Sequence, residues 1–266
     1  MNQPYSLMFA NKVRVHFHAS KVLHLPKYLS QHGLANYEPL SVAAFMAYAE
    51  ETPGAIFDVG ANIGVYTLLA ATGLRRNVVA FEPFTEPATI LKTLALEHDL
   101  PIDVMQMAVS ETAGASTFYL STKSDMSNSL NADFRDHRGT LTVQTTTLDS
   151  IGEKRVPAII KIDTETTEMD VLRGGANLLK RDRPAVLVEV LTPELEAEVR
   201  EFFAPLNYQV IEIGSPSFQE RFQGTERYAT DGDERNWLLI PTEKELGTRF
   251  YKRANEWLEY IRKLAA

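Results

Sequence analysis

The chain has 266 residues, 44% of them hydrophobic and 23% charged, which fits one α/β domain with decorations and excludes intrinsic disorder, a collagen repeat and a small disulfide scaffold. It has no cysteine, so disulfides, zinc ribbons and thiolate nucleophiles are out, and chemistry must come from carboxylates, histidines, hydroxyls or a bound cofactor. With 27 basic against 35 acidic residues the formal charge is -8 and no basic cluster offsets it, so no nucleic-acid partner is expected.

Met1 to Phe17 alternates polar and apolar residues without the apolar core of a signal peptide, and no stretch reaches the roughly 18 apolar residues of a membrane span. The expectation is a cytoplasmic protein with no membrane span. Residues 1–36, with His16, His18, His24 and His32, show no clear period and read as an N-terminal extension. His16 and His18 would share one face of a strand, but no third metal ligand follows at useful spacing, so a partly exposed strand is preferred.

From Tyr37 the apolar residues recur at helical spacing up to Pro53-Gly54. Ala55 to Val59 then reads as a buried strand, Ile63 to Thr72 as a helix, Asn77 to Phe81 as a second strand, Glu86 to His98 as a helix and Ile102 to Val109 as a third strand. This β-α-β-α-β order, with few polar residues in the strands, indicates a parallel sheet covered on both faces. Ala115 to Leu120 and Thr140 to Leu148 read as an antiparallel excursion with a long polar loop at its tip. Ala158 to Ile162 resumes the sheet, a helix follows over 167–179, and Ala185 to Val190 is the fifth strand. Glu194 to Phe203 reads as a helix, Tyr208 to Ile213 and Asn236 to Ile240 as strands, and Gly214 to Arg235 as a polar connection. Phe250, Ala254, Trp257, Leu258, Ile261 and Leu264 form a stripe on a final helix over 249–266, which must pack on this domain or on a second copy; a homodimer is one expectation.

The chemistry is concentrated in Asp58-Val59-Gly60-Ala61-Asn62-Ile63-Gly64, between a strand and a helix. Glycines there permit a sharp turn and close approach to a ligand, and the helix N-terminus offers N–H groups to an anion. The spacing departs from G-x-G-x-x-G, because Asn62 holds the second glycine position and Val65 the third. Asp58, at the first strand's end, suits a ligand ammonium and would repel a pyrophosphate. Glu82, ending the second strand, suits both ribose hydroxyls. An ammonium beside one carboxylate and a ribose beside the other describe S-adenosyl-L-methionine.

DVGANIG, then AFEP, AVS with a downstream Gly114, TLDS and IKIDTETTEMDVLRGG together resemble the FkbM-type family of S-adenosylmethionine-dependent methyltransferases, from about Tyr37 to Glu189. The resemblance implies a doubly wound, mostly parallel Rossmann-like sheet of the class I methyltransferase type, with an antiparallel C-terminal strand, and a helical N-terminal extension beside it. The methyltransferase domain would span 37–248. Asp58, Gly60, Asn62 and Gly64 would hold the methionine end, Glu82 the ribose, and Ala108 with Val109 the adenine rim, with Ala61 and Pro83 as further cofactor-binding residues. Asp163, Glu165 and Glu168 would form the acceptor side, and the acceptor would be a hydroxyl of a sugar, glycan or polyketide-like natural product. Where the family has glycine in a D-x-E-G pattern, this chain has Thr166-Thr167. Threonine resists positive φ, so a different local turn and a different acceptor pocket are expected.

Methyl transfer from a sulfonium needs an acceptor oxygen aligned in line and a base for its proton. Asp163 and Glu165 flank Thr164, so a continuing strand would point both to one side, where they could hold the acceptor hydroxyl. Because a carboxylate beside the sulfonium stabilises the charged ground state, at least one should be engaged elsewhere. Glu168, in a helix first turn that Thr166 or Thr167 could cap, is as readily structural as catalytic. Asp163 with Glu189 could hold Mg²⁺, but strand-end acids often only line a cleft, and no metal ligand is assigned. Asp149 is read as a turn cap, His137 and Arg135 as solvated loop residues, and Ser127, Asn128 and Ser129 as either sugar-recognising groups or a polar turn. A nicotinamide-dependent oxidoreductase and a non-catalytic binding module on the same sheet are the rival readings.

Overall fold

A computed structural model of the chain describes residues 5–9, 14–17, 23–221 and 235–264. Tyr5–Met8 (β1) and Arg14–Phe17 (β2) pair antiparallel, followed by helices Leu25–His32 (α1) and Pro39–Glu51 (α2). The extension expected to be helical therefore opens with a hairpin: alternation along Met1 to Phe17 has the strand period of two. His16 stands in β2, and His18 lies outside the described residues.

Ala55–Val59 (β3), Val65–Leu69 (α3, prolonged by a π turn over Ala70–Leu74), Val78–Phe81 (β4), Thr85–Glu97 (α4) and Ile102–Met105 (β5) form the first half. The single strand expected over 102–109 is broken after Met105, where the Met107 N–H turns back to the Met105 carbonyl at 2.9 Å. Its remainder, Ala108–Val109 (β6), joins Gly114–Ser121 (β7) and His137–Thr146 (β8) in a separate sheet of order β6-β8-β7, with β7 and β8 antiparallel.

Leu148–Gly152 (α5), Pro157–Ile162 (β9), Glu168–Arg173 (α6), Ala176–Asp182 (α7), Ala185–Glu189 (β10), Pro193–Phe203 (α8), Tyr208–Glu212 (β11), Pro216–Arg221 (α9), Asn236–Pro241 (β12) and Thr248–Leu264 (α10) complete the described chain. The single helix expected over 167–179 is two helices, divided at Gly174-Gly175. A Cβ on Gly174 would meet the Ser110 carbonyl oxygen at 2.2 Å, so the break lets two backbones touch. Asp149 caps α7, accepting hydrogen bonds from the N–H groups of Asn177 (3.4 Å) and Leu178 (2.7 Å).

The main sheet runs β11-β12-β10-β9-β3-β4-β5. Every pair from β10 to β5 is parallel, and β12 is antiparallel to both its neighbours. Strands β3, β4 and β9 are almost wholly buried because helices cover both faces. Successive residues alternate between two cores: Ile56 and Ile159 enter one, Phe57 and Ile160 the other. The first core also takes Phe9, Val15, Leu25 and Leu29 of the extension, and Phe250, Ala254, Leu258 and Ile261 of α10. Helix α2, buried from Leu40 to Ala49, lies between sheet and α10, which explains its apolar character all round. Among the described residues no helix is long and apolar enough to cross a membrane.

The chain runs outward through β3, β4 and β5 on one side and through β9 and β10 on the other. The order reverses between β3 and β9, and a ligand crevice is expected outside the carboxyl ends there.

Candidate active site

That crevice exists: a cavity with about 950 Å³ of atom-free space, its open mouth included, lies over the ends of β3, β4 and β9. Asp58, Gly60, Ala61, Asn62, Glu82, Pro83, Ala108, Val109, Asp163 and Glu165 all line it; Gly64 and Glu168 do not.

On the β3–β4 side two carboxylates are buried, Asp58 at 2% and Glu82 at 6% exposure. Asp58 Oδ2 accepts from the Thr67 hydroxyl (2.6 Å) and the Thr67 N–H (3.1 Å) and so ties the strand end to α3. Burial pushes the Asp58 carboxyl up to about 6, against the lowering effect of Thr67 and Lys161. Glu82 is gripped at both oxygens: Oε2 accepts from the Asn62 N–H (2.8 Å) and Oε1 from the Phe84 N–H (2.8 Å). Burial pushes it up to about 7 despite those two bonds.

The loop between them has little left for an anion. Gly60 and Ala61 donate to the Phe81 carbonyl, Asn62 to Glu82, Ile63 to the Asn62 side chain and Gly64 to the Ala61 carbonyl. Within the turn itself, from Gly60 to Gly64, every N–H is therefore already used, and an anion could be met only by the first residues of α3. Gly60 (φ 80°) lets β3 approach β9, since a Cβ would meet the Asp163 carbonyl oxygen at 1.8 Å. Gly64 serves packing: a Cβ would reach Leu91 of α4 at 2.6 Å. Beside Glu82, Pro83, Phe84, Ala108, Val109, Phe118 and Leu130 form an apolar slot, built partly from the small sheet.

The β9–β10 side is rich in charge. Oxygens of Asp163, Glu165 and Glu189 lie within 4.8 Å of one another. They face Lys161, 1% exposed, whose Nζ donates to Asn236 Oδ1 (3.1 Å) and pairs with Asp163 Oδ2 (3.3 Å). The same ammonium stands 5.3 Å from the Tyr66 ring centroid, and the Tyr66 hydroxyl donates to Glu38 (2.7 Å). Burial alone would depress the lysine, but the surrounding carboxylates, Asp163 foremost, hold it above its ordinary value. Burial, then Asp163, pushes Glu165 up to about 8 and Glu189 up to about 10. A metal ion would fit three such oxygens in charge, but the ammonium already lies against Asp163.

Asp163 and Glu165 converge by a route other than a continued strand. β9 ends at Ile162, and Glu165 (φ 56°) and Thr166 (φ 79°) both take left-handed backbone. The expectation that threonine would impose a different turn is thus corrected: the conformation glycine favours is kept at Thr166. Glu168 holds it. Fully buried, it accepts at Oε1 from the Thr164 N–H (2.8 Å), the Thr164 hydroxyl (3.1 Å) and the Thr166 N–H (3.3 Å). No threonine side chain caps α6; the Thr167 hydroxyl donates to the Thr164 carbonyl instead (3.1 Å). His137 is exposed and lies outside the cavity lining.

Lys161, Glu38, Tyr66 and Asn236 were not singled out from the sequence. Lys161 had a signal, a lone charge inside the otherwise apolar strand Ala158 to Ile162. The other three come from distant elements and carry no local pattern.

Comparison with known proteins follows the same lines. Haloferax volcanii hexuronic acid methyltransferase AglP is 26% identical over 133 residues, 49% of this chain and 53% of that one, so the chain spans about half the length of this curated relative. Methyltransferase FkbM from Methylobacillus flagellatus KT aligns over 70% of this chain and 43% of its own, at 17% identity and a TM-score of 0.47. M. jannaschii TYW2 in complex with AdoMet aligns over 90% and 85%, at 11% identity and a TM-score of 0.44. The family model described as the methyltransferase FkbM domain matches residues 58–210. That match covers more than half of the sequence, and the chain belongs to the FkbM methyltransferase family.

Proposed function

We propose that the chain transfers a methyl group from S-adenosylmethionine to a hydroxyl oxygen of a sugar, glycan or other polyhydroxylated small molecule. The observation that carries this reading is the pairing, in one cavity, of Asp58 and Glu82 at the ends of β3 and β4 with Asp163 and Glu165 beyond β9. The residues suit the donor. Glu82 is fixed by two N–H groups and keeps a lone pair on each oxygen for ribose hydroxyls. Asp58 lines the cavity with a carboxylate suited to an ammonium, and the apolar slot suits a flat base. The bound donor supplies a methyl carbon already activated by its sulfonium.

The chain's own work is then to orient the acceptor and take its proton. Glu165, pushed up to about 8, is matched to receiving a hydroxyl proton near neutral pH. Asp163 orients the hydroxyl while Lys161 balances its charge, which limits ground-state stabilisation of a nearby sulfonium. Glu168 is a positioning residue for the 164–166 turn. That the relative is named for a hexuronic acid supports a sugar acceptor.

Calorimetry with S-adenosylhomocysteine and with NAD tests the donor: micromolar binding of the first and none of the second is expected, and the reverse ends the proposal. A labelled-methyl screen over mono- and oligosaccharides and hydroxylated natural products tests the acceptor.

A further inference from the structure

The tip of the β7–β8 hairpin forms one wall of the cavity, and it is pinned in place. A 3₁₀ turn over Asp125–Ser127 is capped by Ser124, whose hydroxyl accepts from the Met126 N–H at 3.1 Å. Asp125 Oδ1 accepts from the His24 backbone N–H (2.6 Å), linking the turn to the N-terminal extension. Asn128 Oδ1 accepts from the Ser121 N–H (2.9 Å). Beyond them, the Ser129 hydroxyl donates to the Glu165 carbonyl (2.6 Å), and Asn131 Nδ2 to the Thr166 hydroxyl (2.9 Å).

Both Asp125 (6% exposed) and Asn128 (8%) line the cavity. On each, one polar atom has the backbone partner just described. The other, Asp125 Oδ2 and Asn128 Nδ2, is buried with no hydrogen-bond partner among the described residues. The Asn62 side chain lies near enough to Asp125 to favour its ionised form, yet outside hydrogen-bonding geometry with Oδ2. A buried polar atom left without a partner is costly, and two of them, on residues that line one cavity, need a cause.

We propose that Asp125 and Asn128 form a hydroxyl-binding subsite, filled either by a ribose hydroxyl of the donor or by a hydroxyl of the acceptor. It rests on reading the cavity as a donor and acceptor site. The pair presents one acceptor and one donor on one cavity wall, Asp125 in the 3₁₀ turn and Asn128 as its extended C-cap. A phosphate would have no hydrogen for Asp125 and would be repelled by it, and an ammonium would have no lone pair for Asn128. A hydroxyl both donates and accepts, so it satisfies either residue.

The test uses the full chain, with S-adenosylhomocysteine and methyl α-D-glucopyranoside as probes. Asp125→Asn keeps an oxygen for His24 and turns the orphan acceptor into a donor; Asn128→Asp keeps an oxygen for Ser121 and turns the orphan donor into an acceptor. Each single variant should weaken one probe about tenfold. The double variant, which restores the net charge and exchanges the two roles, should recover to within about threefold, because a hydroxyl can reverse its hydrogen bonds. Loss in the calorimetric isotherm of S-adenosylhomocysteine assigns the ribose. Loss only in saturation-transfer NMR of the glucoside, with S-adenosylhomocysteine saturating, assigns the acceptor. No change in either probe overturns the subsite, as does a loss the double variant fails to restore, which would mark a base edge with fixed donors and acceptors. Thermal melts of all three variants confirm folding, and the double variant carries the test if a single one fails. A wild-type chain that binds the glucoside but not S-adenosylhomocysteine sinks the methyl-transfer reading and leaves the subsite to the glucoside arm; one that binds neither overturns both.

Discussion

The two ends of the cavity solve the problem of buried carboxylates differently. At the β3–β4 end, Asp58 and Glu82 are held by backbone N–H groups of Thr67, Asn62 and Phe84, all within a few turns of their own strands. At the β9–β10 end, oxygens of Asp163, Glu165 and Glu189 crowd within 4.8 Å of one another, Asp163 pairs with the Lys161 ammonium, and Glu165 sits in a turn with two left-handed residues that are not glycine. The first end is a fixed receptor, its polar groups largely satisfied before any ligand arrives. The second carries unbalanced charge and backbone strain, the usual marks of a site where protons move.

If that contrast is correct, the largest effects lie at the second end. Glu165→Gln and Asp163→Asn should each lower kcat by about 10²–10⁴-fold, the range for loss of a general base, while S-adenosylhomocysteine affinity stays within about threefold. With Glu165 at about 8, kcat of the wild type should climb with pH and level off above that value, as the base sheds its proton. Glu165→Gln should flatten the profile. Near-normal turnover in both variants would remove the carboxylates from the mechanism.

Lys161→Met ranks next. Taking away the buried ammonium that pairs with Asp163 leaves that half-buried carboxylate without its counter-charge, a change that costs about 3 kcal/mol. The remaining acids can neutralise themselves by binding protons, so the loss should be larger at pH 8 than at pH 5.5. Denaturant titrations at both values check this, and equal losses at the two would mean the lysine is held by packing rather than by charge.

The same contrast decides what could be read in advance. The donor end is local in sequence: Asp58, Gly60, Asn62 and Glu82 belong to one strand-turn-helix-strand unit, so spacing alone places them together. The sheet was legible for a similar reason, because strands buried on both faces show as unbroken apolar runs such as Val78 to Phe81 and Ala185 to Val188. The acceptor end is assembled from α2, α3, β9, β10 and β12, and nothing in the local pattern of Glu38, Tyr66 or Asn236 shows that they meet Lys161 or its ring neighbour. The breaks at Met105 and at Gly174-Gly175 were likewise set by tertiary contacts, with β8 in one case and Ser110 in the other.

A smaller effect tests the donor end. Because burial holds Glu82 at about 7 and Asp58 at about 6, the folded chain binds their protons more tightly than the unfolded chain does. Their contribution to stability is present below the ordinary carboxylate range and is lost as pH rises through about 6 to 7. A ligand ammonium and ribose hydroxyls favour the ionised forms, so binding of S-adenosylhomocysteine at pH 6.5 should release protons. Calorimetry in buffers of different ionisation enthalpy measures that release, and Glu82→Gln should diminish it. Proton uptake on binding would mean that these acids do not face the ligand's donors.

The smallest expected effect concerns Thr166, the residue on which the two ends differ most in kind. A β-branched residue at φ 79° is strained, by about 1–3 kcal/mol. Its hydroxyl, accepting from Asn131 Nδ2 at 2.9 Å, returns about 1 kcal/mol of that. Thr166→Gly removes both strain and bond and loosens the unfolded chain, so a net gain of about 1 kcal/mol or less is expected, a rise in Tm of roughly 2–4 °C. Thr166→Val keeps the strain and deletes the bond, so it should be less stable than wild type. If the glycine variant instead melts well below the valine one, the 164–166 turn is held by the Asn131 contact and not opposed by its own backbone, and the strain assigned to the acceptor end would have to be withdrawn.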